Sequence, residues 1–365
     1  MFRRCLTVLF ISSVFVSNGY GETLETIRQQ FEIYQRFPGE IEILSADDTK
    51  EIDNVLKRTE TKRLAVRKEL DKALKERKGH TNLPSPLFAE EYAAPFVYYV
   101  AVERAFAKRS LEQRQPDEVI QAIRYVYRLA EELSESGSLE LRTVAALVRL
   151  QMLEMAQLLV LHSHSKQEHH ELLYKILEDQ INNRTTDAVI WARYREEGKQ
   201  FFADVSKYAL DTMISPNLMK KLTDRNALNK YKQAAVERVD QDQSVFLQLS
   251  EIVIESCAVP FFKRQSILRT LDNEHRKQRG AANEPVFALL LLQDVAQSMR
   301  LFAQERSGIE TAYLALAVSL GKQDRSHLLN FLTGNEYEIR LIADGVMCTY
   351  EGNVTPFYVQ YRYPD

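Results

Sequence analysis

The chain has 365 residues, 27% of them charged, a formal net charge of −3, and only 12 glycines and 10 prolines. Turn-forming residues this sparse argue against a β-rich fold, and the mildly acidic balance gives no overall reason to expect nucleic-acid binding. Charges interleaved with Leu, Ala and Val, over a length that suits one large domain or two ordinary ones, point to an all-α protein.

Residues 1–21 read as a secretory signal peptide. Arg3 and Arg4 precede an apolar run over 6–16, and Gly19 and Gly21 take the −3 and −1 positions of a cut before Glu22. The run falls short of the roughly twenty apolar residues that span a bilayer. Cleavage and a secreted or periplasmic location are therefore expected, with a retained N-terminal anchor as the alternative. No transmembrane segment is expected after signal removal, because the most apolar later stretch, 144–161, carries Arg149 and Glu154. Cys257 and Cys348 are the cysteines left after the cut, either bridged or as two separate buried thiols.

Apolar spacing predicts helices over 23–37, stopped by Pro38-Gly39, and over 48–78, opened by a capping-box pattern at Ser45-Ala46-Asp47-Asp48. The aromatic-rich segment 87–109 contains Pro95, which should kink it or mark its start. Pro116-Asp117-Glu118 opens a helix through Ser134. The stretch 139–161 is apolar on most of its circumference and belongs near a centre. Further helices are expected over 167–180, 187–210, 224–256 and 260–279. Another strongly apolar helix follows Pro285 to about Leu320, with a possible break at Gly308. Over the last thirty residues the pattern alternates: 337–342, a two-residue hairpin signal at Asp344-Gly345, 346–350, and 357–363. The expected architecture is a large helical bundle or short α-solenoid over 22–325, two central helices wrapped by amphipathic ones, with a small antiparallel β-hairpin appendage over 326–365 packed on the last helix. No fixed-period repeat is present.

Glu310 and Ala312, the helix Leu314-Ala315-Leu316-Ala317, then Gly321, Leu329, Leu332, Asp344-Gly345, Tyr350 and Tyr358 give the segment 306–363 a recognisable shape. It resembles the C-terminal part of uncharacterised secreted helical proteins of planctomycete-type bacteria, a part that itself resembles the globular region of type II secretion pseudopilins. The resemblance implies an exported protein and carries no functional residues across. Arg325-Ser326 stand where a proline is usual, and the apolar N-terminal helix of a true pseudopilin is absent, so filament assembly is not implied.

The densest cluster of special side chains is His162, His164, His169 and His170, with Glu168 and Glu171 beside them. Imidazole and carboxylate suit zinc or copper, and a loop feeding a helix can gather three ligands. A solvated connection between helices explains the same composition. Asp272-x-x-His275 and Asp324-x-x-His327 are related in spacing to a di-iron pair, but paired Glu-x-x-His motifs are lacking. The helix over 48–78 is basic, a face for an anionic surface polymer or a solvated exterior with pairs such as Glu69–Lys72 and Asp71–Lys75. The aromatics between Tyr92 and Phe106 read as core, with a sugar or lipid pocket as the alternative. The resulting expectation is a non-enzymatic exported scaffold or partner-binding module, its partner a protein or an anionic polymer. A metal-binding protein using the four histidines and a hydrolase with an inter-helix pocket are the alternatives.

Overall fold

The computed structural model describes residues 22–31, 43–44, 49–76, 90–135, 139–205, 229, 233, 237–278, 287–292, 295–322, 329–350 and 356–361. The predicted signal segment lies outside these residues, as do Asp324, His327 and the stretch 206–228. The helices are α1 (Glu22–Phe31), α2 (Thr49–Glu76), α3 (Glu90–Glu112), α4 (Pro116–Glu135), α5 (Leu139–Leu161), α6 (Gln167–Asn182), α7 (Asp187–Val205), α8 (Val239–Ser256), α9 (Gln265–Gln278), α10 (Phe287–Leu291) and α11 (Val295–Ser319). A 3-10 turn, Phe261–Lys263, joins α8 to α9. Strands β1 (Glu338–Ile342), β2 (Gly345–Thr349) and β3 (Phe357–Gln360) form one antiparallel sheet in the order β1-β2-β3. The fold is all-α with a small β appendage, as the composition implies.

Spacing explains how the helices pack. On α4, Val119, Ile120, Ile123, Val126, Leu129, Ala130 and Leu133 recur at three and four residues and are all buried. Each fully buried Val, Leu or Ile contributes about 1.5–3 kcal/mol. Two cores result. The first gathers α1 to α6, the second half of α11 and the inward side chains of the sheet, Cys348, Phe357 and Val359. The second gathers α7, α8, α10 and the first half of α11, with Leu139 and Ala146 from α5. The predicted central helices, α5 and α11, thus contribute to both. Aromatic rings fill the second core: Tyr194, Phe201, Phe202, Phe246 and Phe287 meet edge-on or tilted at centroid distances of 5.5 to 6.5 Å. The buried carboxylate of Asp242 on α8 starts α10 by accepting the Phe287 N–H (2.8 Å) and the Ala288 N–H (3.3 Å).

Three local expectations need correction. Pro95 does not begin α3; it sits five residues in, where the one backbone bond it withdraws lies near the helix start. The long apolar helix after Pro285 is interrupted between Leu291 and Val295, not at Gly308. Gly308 is inside α11, where a Cβ would stand 3.0 Å from Leu153 Cδ1, so its bareness allows α5 to approach. The hairpin loop is Ala343-Asp344, with Ile342 paired to Gly345. Gly345 begins β2 instead of turning, because a Cβ there would lie 2.3 Å from the Val359 carbonyl oxygen. On α2 the expected Glu69–Lys72 pair is present at 3.8 Å, and Asp71 pairs with Arg128 and Tyr125 of α4; the side chain of Lys75 lies outside the described residues.

Two helices end alike with different residues. In α3 the Gln115 N–H bonds the Ser110 carbonyl and the Arg114 N–H the Leu111 carbonyl; in α11 Lys322 and Gly321 do the same with Ala317 and Val318. Both caps need a left-handed residue, Gly321 at φ 64° and Arg114 at φ 62°. Arginine is strained there. Arg114→Gly is expected to raise stability by about 0.5–1 kcal/mol in chemical denaturation, the relief outweighing the entropy that glycine adds to the unfolded chain.

Candidate functional site

Where the two cores meet, the end of α6, the start of α7, the turn after α8 and the middle of α11 enclose a cleft of about 330 Å³. Its floor and walls are charged. Arg264, buried, donates from Nη1 to Asp187 Oδ2 at 2.8 Å and from Nε to the Val259 carbonyl at 2.8 Å. One guanidinium thereby ties the turn after α8 to the first residue of α7. On α11, Arg306 Nε donates to Glu310 Oε1 at 2.7 Å, four residues along the same face, and its guanidinium lies 4.1 Å over the Phe331 ring. Glu310 also accepts the Tyr337 hydroxyl, whose pKa burial and that carboxylate push up.

Arg184, in the connection between α6 and α7, reaches from the cleft into a buried charge cluster. Its Nη2 donates to Glu305 Oε2 and to the Phe302 carbonyl, both at 3.0 Å. Glu305 also accepts Arg142 Nη2 at 2.8 Å and Arg149 Nη1 at 3.2 Å, and Arg149 pairs on its other side with Glu131. Burial alone would raise the Glu305 carboxyl; Arg142, Arg184 and Arg149 outweigh it and hold it down at about 2. Burial, and the two neighbouring arginines, lower Arg142 to about 10, and its Nη1 is buried without a hydrogen-bond partner. Five arginines (142, 149, 184, 264, 306) therefore face four carboxylates (131, 187, 305, 310), one positive charge in excess. In a poorly hydrated setting that excess favours an anion.

Two further side chains set the chemistry. Cys257 donates its thiol to the Val253 carbonyl at 3.3 Å, and burial pushes its pKa up to about 11 despite nearby Arg264. At neutral pH it is a thiol, not a nucleophilic thiolate. Gln180, at the end of α6, donates from Nε2 to Met152 Sδ at 3.3 Å, while its buried Oε1 has no partner. Arg306 uses Nε and Arg184 uses Nη2, so each keeps further N–H donors that bond no described residue. This arrangement can grip an oxyanion; it offers no activated nucleophile beside a base.

The four predicted histidines take different places. His169 is a capping residue of α6: its Nδ1 accepts the Lys166 N–H at 2.8 Å and its Nε2 meets Asp117 of α4 at 3.0 Å. With Nδ1 accepting, Nε2 carries the proton. His170 is buried, while the rings of His162 and His164 lie 5.5 Å apart on the surface connection. Among the described residues no group of three or more His, Cys, Asp or Glu side chains is placed to hold a metal ion. Cys257 and Cys348 are unbridged and belong to different cores. On α2 the basic surface is thinner than its sequence: Arg63 and Arg67 turn inward to Glu103, Arg67 with a two-pronged grip at 2.8 and 2.7 Å. Phe96, Tyr98 and Tyr99 are core residues.

The cleft was missed in the sequence because its members are scattered over residues 180–331. The available signal was the set of charged residues inside two otherwise apolar helices, Arg142 and Arg149 in α5 and Glu305 in α11. No family model, no curated protein and no solved structure matches this chain.

Proposed function

We propose that this protein is a non-enzymatic binding module working outside the cytosol, and that it recognises a small anionic ligand in the arginine-lined cleft. One observation carries the reading: Arg184 and Arg306 hold donors in reserve inside a cleft with excess positive charge, while the carboxylates of that cleft are bound to arginines. The volume suits a small molecule, at the lower end of ordinary ligand sites. The external location rests on the basic and apolar pattern of residues 3–16.

Thermal unfolding of the full-length mature protein with acetate, sulfate and phosphate, at matched ionic strength, tests the reading. A saturable rise in melting temperature with at least one anion, lost in Arg306→Gln, is expected. Arg306 is about two-fifths exposed, so the variant should keep the fold. Equal shifts in wild type and variant would overturn the cleft as the site, and absence of any saturable shift would overturn anion recognition.

A further inference from the structure

We infer that the ligand is a small carboxylate bearing an N–H or O–H donor next to its carboxyl group, that is, an amino acid or hydroxy acid with a modest apolar side chain. This rests on the anion-binding reading above and narrows it. Three features of the cleft carry it. Arg184 and Arg306 line the cleft from two different elements, the α6–α7 connection and α11, each with N–H donors left over, and a planar carboxylate is the oxyanion that a guanidinium edge grips with two parallel bonds.

The second feature is Gln180. Its Oε1 is an unmatched acceptor on a residue 95% withdrawn from solvent, in the wall of a site whose carboxylates, Asp187 and Glu310, are already bound to arginines. A buried acceptor left unmatched costs about 1–3 kcal/mol, so a ligand that supplies a donor there gains over one that does not. Sulfate at neutral pH carries only acceptors and leaves Gln180 as it was. A simple alkanoate does the same.

The third feature is the remaining lining, where Ile181, Ile309 and Phe331 stand between the charged groups. These walls suit a short aliphatic branch. The volume of about 330 Å³ is that of a small-molecule site. A cleft of this size takes a free acid and not a folded partner.

Calorimetric titration of the full-length mature protein with four probes on a common scale tests this inference: 3-methylbutanoate, its 2-hydroxy derivative, valine (its 2-amino derivative), and sulfate. The hydroxy acid or valine should bind at least tenfold more tightly than 3-methylbutanoate. Gln180→Met, which keeps an unbranched chain against Met152, should erase that difference while leaving 3-methylbutanoate unchanged. Gln180→Leu, of similar bulk and likewise without an acceptor, should do the same and serves as the second variant if the methionine protein does not fold. Equal affinity of 3-methylbutanoate and its substituted forms, or preference for sulfate, would overturn the donor requirement and leave the anion site standing. No binding by any of the four, together with no saturable shift in the anion series, would overturn both. A preference that survives either Gln180 change would remove Gln180 from the argument and overturn the inference.

Discussion

Replacing Glu305 by glutamine is expected to lower the unfolding free energy by about 3–5 kcal/mol, because Arg142, Arg149 and Arg184 would be left buried around a neutral amide. Truncating one partner of such a cluster costs far more than the cluster itself contributes, since the desolvation of the remaining charges is no longer offset. The same residue sets a pH response. Its folded pKa of about 2 lies below the ordinary value of 4.5, so its contribution is fully present above pH 4.5 and disappears as pH falls through 2. That interval is worth roughly 3 kcal/mol. Urea unfolding of wild type from pH 5 down to 2 should therefore show stability falling, with a shallower fall in Glu305→Gln. Identical acid profiles for the two proteins would remove Glu305 as the cause.

Gly198→Val should cost about 3 kcal/mol for a different reason. Even the first carbon of a side chain at 198, on α7, would come within 2.2 Å of Phe246 Cζ on α8. The ring has nowhere to go: Phe246 is fully buried and touches both Tyr194 and Phe202. Removing a helical glycine normally helps by somewhat under 1 kcal/mol, which overpacking of this severity exceeds. Phe246→Ala alone should cost about 3–5 kcal/mol through the cavity it leaves. The double variant tests the contact directly, because valine at 198 grows into that cavity and the combined loss should fall short of the sum by at least about 1 kcal/mol. Strict additivity in chemical denaturation would show that the two helices do not depend on this approach.

What the sequence reveals here is periodic, and what it hides is pairwise. The α4 stripe from Val119 to Leu133, the proline at its first position and the apolar circumference of α5 identify their elements because one residue every three or four must face a core. The hairpin was displaced by one residue for a reason outside its own segment, the carbonyl of Val359 beside Gly345. The start of α10 at Phe287 is equally non-local, since Asp242, 45 residues earlier, supplies its cap. The cleft is the extreme case. Arg142 and Glu305 are separated by 163 residues, Arg184 and Glu305 by 121, and no spacing rule joins them. The histidines show the same limit: four fall within nine residues, yet their roles are set by partners elsewhere, His169 fastening α6 to α4 while His170 lies inside.

Because α5 and α11 each serve both interiors, the polypeptide has no seam. Cleaving it in the connection at 183–186 would leave α5 on one fragment and α11 on the other, and each fragment would carry two half-covered greasy surfaces. The cleft at that junction takes side chains from both pieces, Gln180 and Ile181 from one and Arg306, Ile309 and Phe331 from the other, so it is complete only while they stay packed together.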